Sequence, residues 1–157
     1  MLSLFQTPSD LHQYAEKIVS NYGIFLTHFK GDDSVEFTAR IGGVNIVNGC
    51  RTFKSLRKLS LCRANRCFAE GGSFLAEFKM LQQLDLASTG FSDAVIDFIR
   101  SSLRYLNVTQ TGITDSGLEI LQKLEDLESL NISNCIRITE VGFYHVSNLL
   151  GLKVLKV

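Results

Sequence analysis

The chain has 157 residues, 45% of them hydrophobic, and its 16 Lys+Arg balance 16 Asp+Glu. That length suits one domain with a substantial core. Zero net charge excludes a whole-molecule attraction to nucleic acid or to an anionic membrane, so any such preference has to be local.

No apolar run approaches the roughly 18 residues of a membrane-spanning helix. The opening residues, MLSLFQTPSD, lack a cationic segment followed by a long apolar one, which argues against a secretory signal. Cys50, Cys62, Cys67 and Cys135 are too few and too scattered for a disulfide scaffold. They point to a reducing, intracellular setting, with the cytoplasm ahead of the nucleus or mitochondrion.

In chain order, Ser9-Asp10 caps a helix from about Leu11 to Asn21, which carries Leu11, Tyr14, Ala15, Ile18 and Val19 on one side and stops at Gly23. Ile24–Phe29 and Val35–Ile41 alternate as strands around the turn Lys30-Gly31-Asp32-Asp33, the pattern of a hairpin. Gly42-Gly43 and Val44–Val47 lead onward. Residues 1–50 therefore read as an N-terminal cap that shields the first of a series of repeated units.

Residues 51–157 are organised by leucine. Leu56, Leu81, Leu103, Leu127 and Leu152 open the segments LRKLSL, LQQLDL, LRYLNV, LESLNI and LKVLKV, at intervals of 25, 22, 24 and 25 residues. In L-x-x-L-x-L the apolar positions suit a short strand with alternate residues turned into a core. A second column accompanies the first: Phe68-Ala69-Glu70, Phe91-Ser92-Asp93, Ile113-Thr114-Asp115 and Ile138-Thr139-Glu140. Here an apolar residue anchors the turn, a small or hydroxyl residue caps a helix, and an acid lies at the positive end of the helix dipole. Leu118 and Leu121 share one face of such a helix. Four to five strand–turn–helix units are expected.

The segment GITDSGLEILQKLEDLESLNISNC resembles the cysteine-containing leucine-rich repeats of F-box substrate receptors. The likeness covers residues 56–157 and is strongest from 103 to 142. Cys135 takes the consensus cysteine position, where other units have Thr89, Thr111 and Ala64. The resemblance implies an α/β solenoid with parallel strands on the concave side and helices on the convex side, working as a non-enzymatic protein-binding module or subunit of a larger complex. An F-box would add a Leu-Pro start and a helical bundle; here Pro8 follows Thr7, and one helix precedes strand-like sequence, so no clear F-box is present. A ubiquitin-ligase adaptor with a degenerate F-box is one alternative. The small size, with a mixed cap before the repeats, is also similar to mitochondrial leucine-rich proteins, and an RNA-associated or mitochondrial complex subunit is another.

With the leucines inward, the intervening positions face the concave side. One column reads Lys58, Gln83, Tyr105, Ser129, Val154; the next Ser60, Asp85, Asn107, Asn131, Lys156; the third Cys62, Ala87, Thr109, Ser133. Tyr105 is the large amphipathic side chain near the centre, of a kind over-represented at binding hot spots. The candidate partner-binding set is Lys58, Ser60, Gln83, Asp85, Tyr105, Asn107, Thr109, Ser129, Asn131 and Ser133. A secondary candidate is the basic stretch 51–66, with Arg51, Lys54, Arg57, Lys58, Arg63 and Arg66 and no acid, against 10 basic and 16 acidic residues elsewhere. Gathered on one face, these side chains form a rim for an acidic protein, a phosphate or RNA; split between two strand faces, they form no patch.

His12, His28 and His145 have no catalytic or metal spacing, Cys62 and Cys67 have no second ligand pair, and the Gly-Gly pairs read as turns. No enzyme, cofactor or metal is expected. The partner is another protein. LKVLKV opens a strand whose Leu152, Leu155 and Val157 leave an apolar edge, a place for a partner subunit or a second copy to dock.

Overall fold

A computed structural model describes residues 56–64, 67–69 and 71–157, together with the backbone of 35–38. The helix expected over 11–21, the strand over 24–29 and the link through 42–47 lie outside the described residues.

Six strands form one sheet in sequence order: β1 (Val35–Thr38), β2 (Leu56–Ser60), β3 (Gln83–Asp85), β4 (Tyr105–Asn107), β5 (Ser129–Asn131) and β6 (Val154–Lys156). Every neighbouring pair is parallel. β1 runs parallel to β2 and extends the repeat sheet, while its expected hairpin partner over 24–29 lies outside the described residues. Parallel neighbours need a crossover between them, which the segments between strands supply.

Register follows the leucines. Leu59, Leu84, Leu106, Leu130 and Leu155 stand side by side across β2 to β6. The first four are at most 2% exposed. Leu56, Leu81, Leu103 and Leu127 form a second buried column, and Leu61, Leu86, Val108 and Ile132 a third. Each such side chain gains about 1.5–3 kcal/mol by leaving water. No unit buries its own leucines; the next unit covers them.

The ladder continues past the strands. Arg63, Ser88 and Gln110 donate their N–H groups to the carbonyls of Ala87, Thr109 and Ser133 at 2.8–2.9 Å. All three have φ of 55–64°, as does Asn134 at 57°. This left-handed residue at one fixed point swings the chain off the sheet toward the helices, a conformation that costs a non-glycine residue about 1–2 kcal/mol.

The crossovers hold α1 (Asp93–Ile96), α2 (Asp115–Leu121) and α3 (Glu140–Ser147). Their N-caps are Ser92, Thr114 and Thr139, the expected column. The first crossover differs: its helical segment is a 3-10 turn over Ser73–Glu77 rather than a helix opening at Ala69-Glu70. Ala69 has no hydroxyl to cap with, and large rings fill the space instead. Phe68 stacks on Phe74 at 5.8 Å and meets Phe91 edge-on at 6.1 Å, while Phe74 and Phe78 are wholly buried.

The acids Asp93, Asp115 and Glu140 lie in the first turns of their helices, as expected, and two of them also reach the next unit. Asp93 accepts from the N–H and hydroxyl of Thr114 at 3.0 and 2.5 Å, and Asp115 from those of Thr139 at 2.8 and 2.6 Å. Thr139 additionally caps its own helix by accepting from the Val141 N–H at 3.2 Å, whereas Thr114 makes no such bond. The acid of one unit thus grips the N-cap of the next. Close helix stacking makes room for it: an added Cβ at Gly117 would land on Asp93 Oδ1, and one at Gly142 on Asp115 Oδ1.

Leu106→Ala, in the wholly buried centre of the sheet, is expected to lose about 2–5 kcal/mol in denaturant unfolding. Gly117→Ala is expected to lose about 1–3 kcal/mol by overpacking against Asp93, and Asp93→Ala in the same chain should recover part of that loss. Thr139's hydroxyl and N–H hold the Asp115 carboxyl below the usual carboxylate range. The folded-state value being lowered, this contribution is present above the ordinary carboxylate pKa and disappears as pH falls through the lowered one. Asp115→Asn should therefore melt below the parent at neutral pH and together with it in strong acid.

Candidate functional site

The strands bring the expected concave columns together. Lys58, Gln83, Tyr105, Ser129 and Val154 are Cα partners across β2–β6, as are Ser60, Asp85, Asn107, Asn131 and Lys156. Thr109 and Ser133 come two residues beyond Asn107 and Asn131.

Much of the polar chemistry here is directed inward. Asp85 Oδ1 accepts from the Ala87 N–H at 3.1 Å and from Asn107 Nδ2 at 2.9 Å. Asn107 Oδ1 accepts from the Thr109 N–H and hydroxyl at 3.1 and 2.6 Å, and Asn131 Oδ1 from those of Ser133 at 3.0 and 2.7 Å. The fifth-position residue therefore ties the turn that leaves its strand, an Asx-turn role. By contrast, the side chains of Gln83, Tyr105 and Ser129 make no hydrogen bond among the described residues. They form the part of the ladder open to an incoming group.

Lys58, Leu59, Ser60, Gln83, Asp85 and Tyr105 line a shallow depression of about 310 Å³ across β2–β4. Partial burial, followed by the negative charge of Asp85, raises the Tyr105 phenol above its ordinary value. Ring and carboxylate thus share one small site. At the start of the strands a second cluster, not singled out from the sequence, joins three units: Glu128 meets Lys153 at 3.0 Å and Arg104 at 3.5 Å. Lys153's bond and charge, with Arg104's, hold the Glu128 carboxyl low. The alternation of sign at the second repeat position, Arg104, Glu128, Lys153, carried that signal.

Of the basic stretch, Arg51, Lys54 and Arg66 lie outside the described residues. Arg57 sits at the start of β2, Lys58 on the concave ladder, and Arg63 in the turn beyond the strand. These three are spread along the strand and its exit turn.

Cys135 is buried at the position filled by Thr89 and Thr111 in the preceding units. Thr89 and Thr111 donate to the carbonyls of Leu86 and Val108 at 2.7 Å, and the Cys135 thiol donates to Val108 at 3.0 Å. The position takes a small buried side chain, Ala64 in the first unit and a hydrogen-bond donor in the other three. Burial pushes the Cys67 thiol up to about 12, which leaves it a poor nucleophile. Among the described residues no group of three or more His, Cys, Asp and Glu is placed to hold a metal ion, and no helix is long and apolar enough to cross a membrane.

The last described unit exposes positions that the interior units bury. Leu155 is 40% and Val157 72% exposed, although their counterparts Leu130 and Ile132 are buried. Phe143, Ile136 and Ile138 border an apolar groove of about 190 Å³ beside Val157.

Units of strand, left-handed turn and returning helical segment, stacked through one parallel sheet, define a leucine-rich-repeat solenoid. A family model described as "Leucine Rich repeat" matches residues 101–121. Among solved structures, the chain is similar to an internalin (inlF) from Listeria monocytogenes, at 23% identity and a TM-score of 0.51, over 68% of this chain and 29% of that one. It thus spans less than a third of that protein's resolved length. No curated protein matches it.

Asp85→Asn removes a charge that raises the Tyr105 phenol. In an NMR pH titration, the Tyr105 ring of that variant is expected to titrate lower than in the parent.

Proposed function

We propose that this solenoid is a non-enzymatic protein-interaction module or complex subunit that binds its partner through the concave strand face, centred on Tyr105. The observation that carries the reading is the contrast along the ladder. Asp85, Asn107 and Asn131 are held rigid by their turns, so the surface is ordered before a partner arrives. Gln83, Tyr105 and Ser129 stand beside them without side-chain hydrogen bonds among the described residues, ready to meet it. Preorganisation lowers the ordering cost of association, and a half-buried tyrosine offers large contact area with few rotatable bonds. The fold likeness to an internalin and the family match support a binding scaffold. A ubiquitin-ligase adaptor or an RNA-associated subunit would each need a contact beyond this face, on residues 1–50 or on the basic stretch.

For the concave face, proteins captured by the parent chain should be lost or weakened at least about 30-fold with Tyr105→Ala, the size of a hot-spot truncation of about 2 kcal/mol. The melting temperature should stay near the parent's. Unchanged capture would move the site elsewhere.

A further inference from the structure

Resting on the concave-face reading, we infer that the depression across β2–β4 receives a single lysine or arginine side chain of the protein partner, with the Asp85 carboxylate as counter-charge and Tyr105 as the wall.

Asp85 is the one acid in the two paired columns that run from Lys58 to Val154 and from Ser60 to Lys156. Its bonds are all to neutral donors: Asn107 and the Ala87 N–H serve Oδ1, while Oδ2 has only a long 3.5 Å contact with Ser60 Oγ. The ion pairs among the described residues are Arg104–Glu128, Lys123–Asp97 and Lys153–Glu128, and none includes Asp85. Glu128 shows the contrasting state, an acid already flanked by two cations.

A carboxylate fixed by neutral hydrogen bonds keeps lone pairs for a charge-assisted bond, which is shorter and stronger than a neutral one. It borders the shallow depression of about 310 Å³. The raised Tyr105 phenol shows that its charge is felt at the ring, so a guanidinium or ammonium on Asp85 also meets an aromatic surface that attracts cations. Lys58 borders the same depression.

The test uses three peptides, acetyl-Gly-Ser-X-Ser-Gly-amide with X as Arg, Gln or Glu, titrated into the isotopically labelled full chain by NMR. The Arg peptide is expected to shift the amides of Leu84, Asp85, Tyr105 and Leu106. The Gln and Glu peptides should bind roughly tenfold or more weakly, the scale of losing one partner of a close charge pair. Asp85→Asn keeps the Oδ1 acceptor and should reduce the Arg response to that of Gln. Equal response with Asp85→Asn, a stronger response to Glu, or no shift from the Arg peptide at its highest soluble concentration overturns the proposal.

Failure here is distinguishable from failure of the concave reading. If only the ligand class is wrong, Tyr105→Ala still releases captured partners while Asp85→Asn does not. If the face itself is wrong, neither variant releases them.

Discussion

Mutual burial of leucines across a parallel sheet is the constraint on which everything else in this molecule depends. A three-residue strand with one inward leucine of its own cannot support itself. It becomes stable because identical positions in the units before and after close over it, leaving Leu84, Leu106 and Leu130 without exposed surface. The sheet can do this only in one register, since a slip of one residue would send every leucine into solvent and bring Gln83, Tyr105 and Ser129 into the core. Recognition surface and core are therefore set by the same alignment.

Polar groups then solve the problem the leucines create. Strands this short leave the turns around them to be held by something else, and the side chains of Asp85, Asn107 and Asn131 do so by accepting from the backbone two residues on. At the next bend, Thr89, Thr111 and Cys135 place a buried donor on a strand-end carbonyl. Among the described residues no buried side-chain nitrogen or oxygen is left without a partner. That economy explains why so many residues of the concave ladder look like a binding surface in sequence while serving the fold in part.

Architecture is legible in the sequence because it rests on periodicity. The five leucine-led segments, their spacing and the hydroxyl–acid column locate β2–β6 and the N-caps of α1–α3 residue by residue. What stays hidden lies in contacts between units. Nothing in Ile-Thr-Asp says that the acid reaches the next unit's threonine rather than sitting passively in its own helix dipole; only the stacking distance, marked by Gly117 and Gly142, decides that. The first crossover departs from expectation because Phe68-Ala69-Glu70 fits the column in hydropathy but lacks the hydroxyl, and aromatic volume takes over. Of the concave candidates, sequence order places all of them, yet it does not separate side chains spent on turns from those left open, because Asn107 and Ser129 look alike until their hydrogen bonds are known.

The carboxylate grip has a direction. Asp93 waits for Thr114, 21 residues later, and Asp115 for Thr139, 24 residues later. During synthesis, then, a unit is latched only when its successor has emerged, so the array closes from the N-terminal side one step behind the growing chain. A pause within one unit would leave that single latch open while those upstream were already fastened.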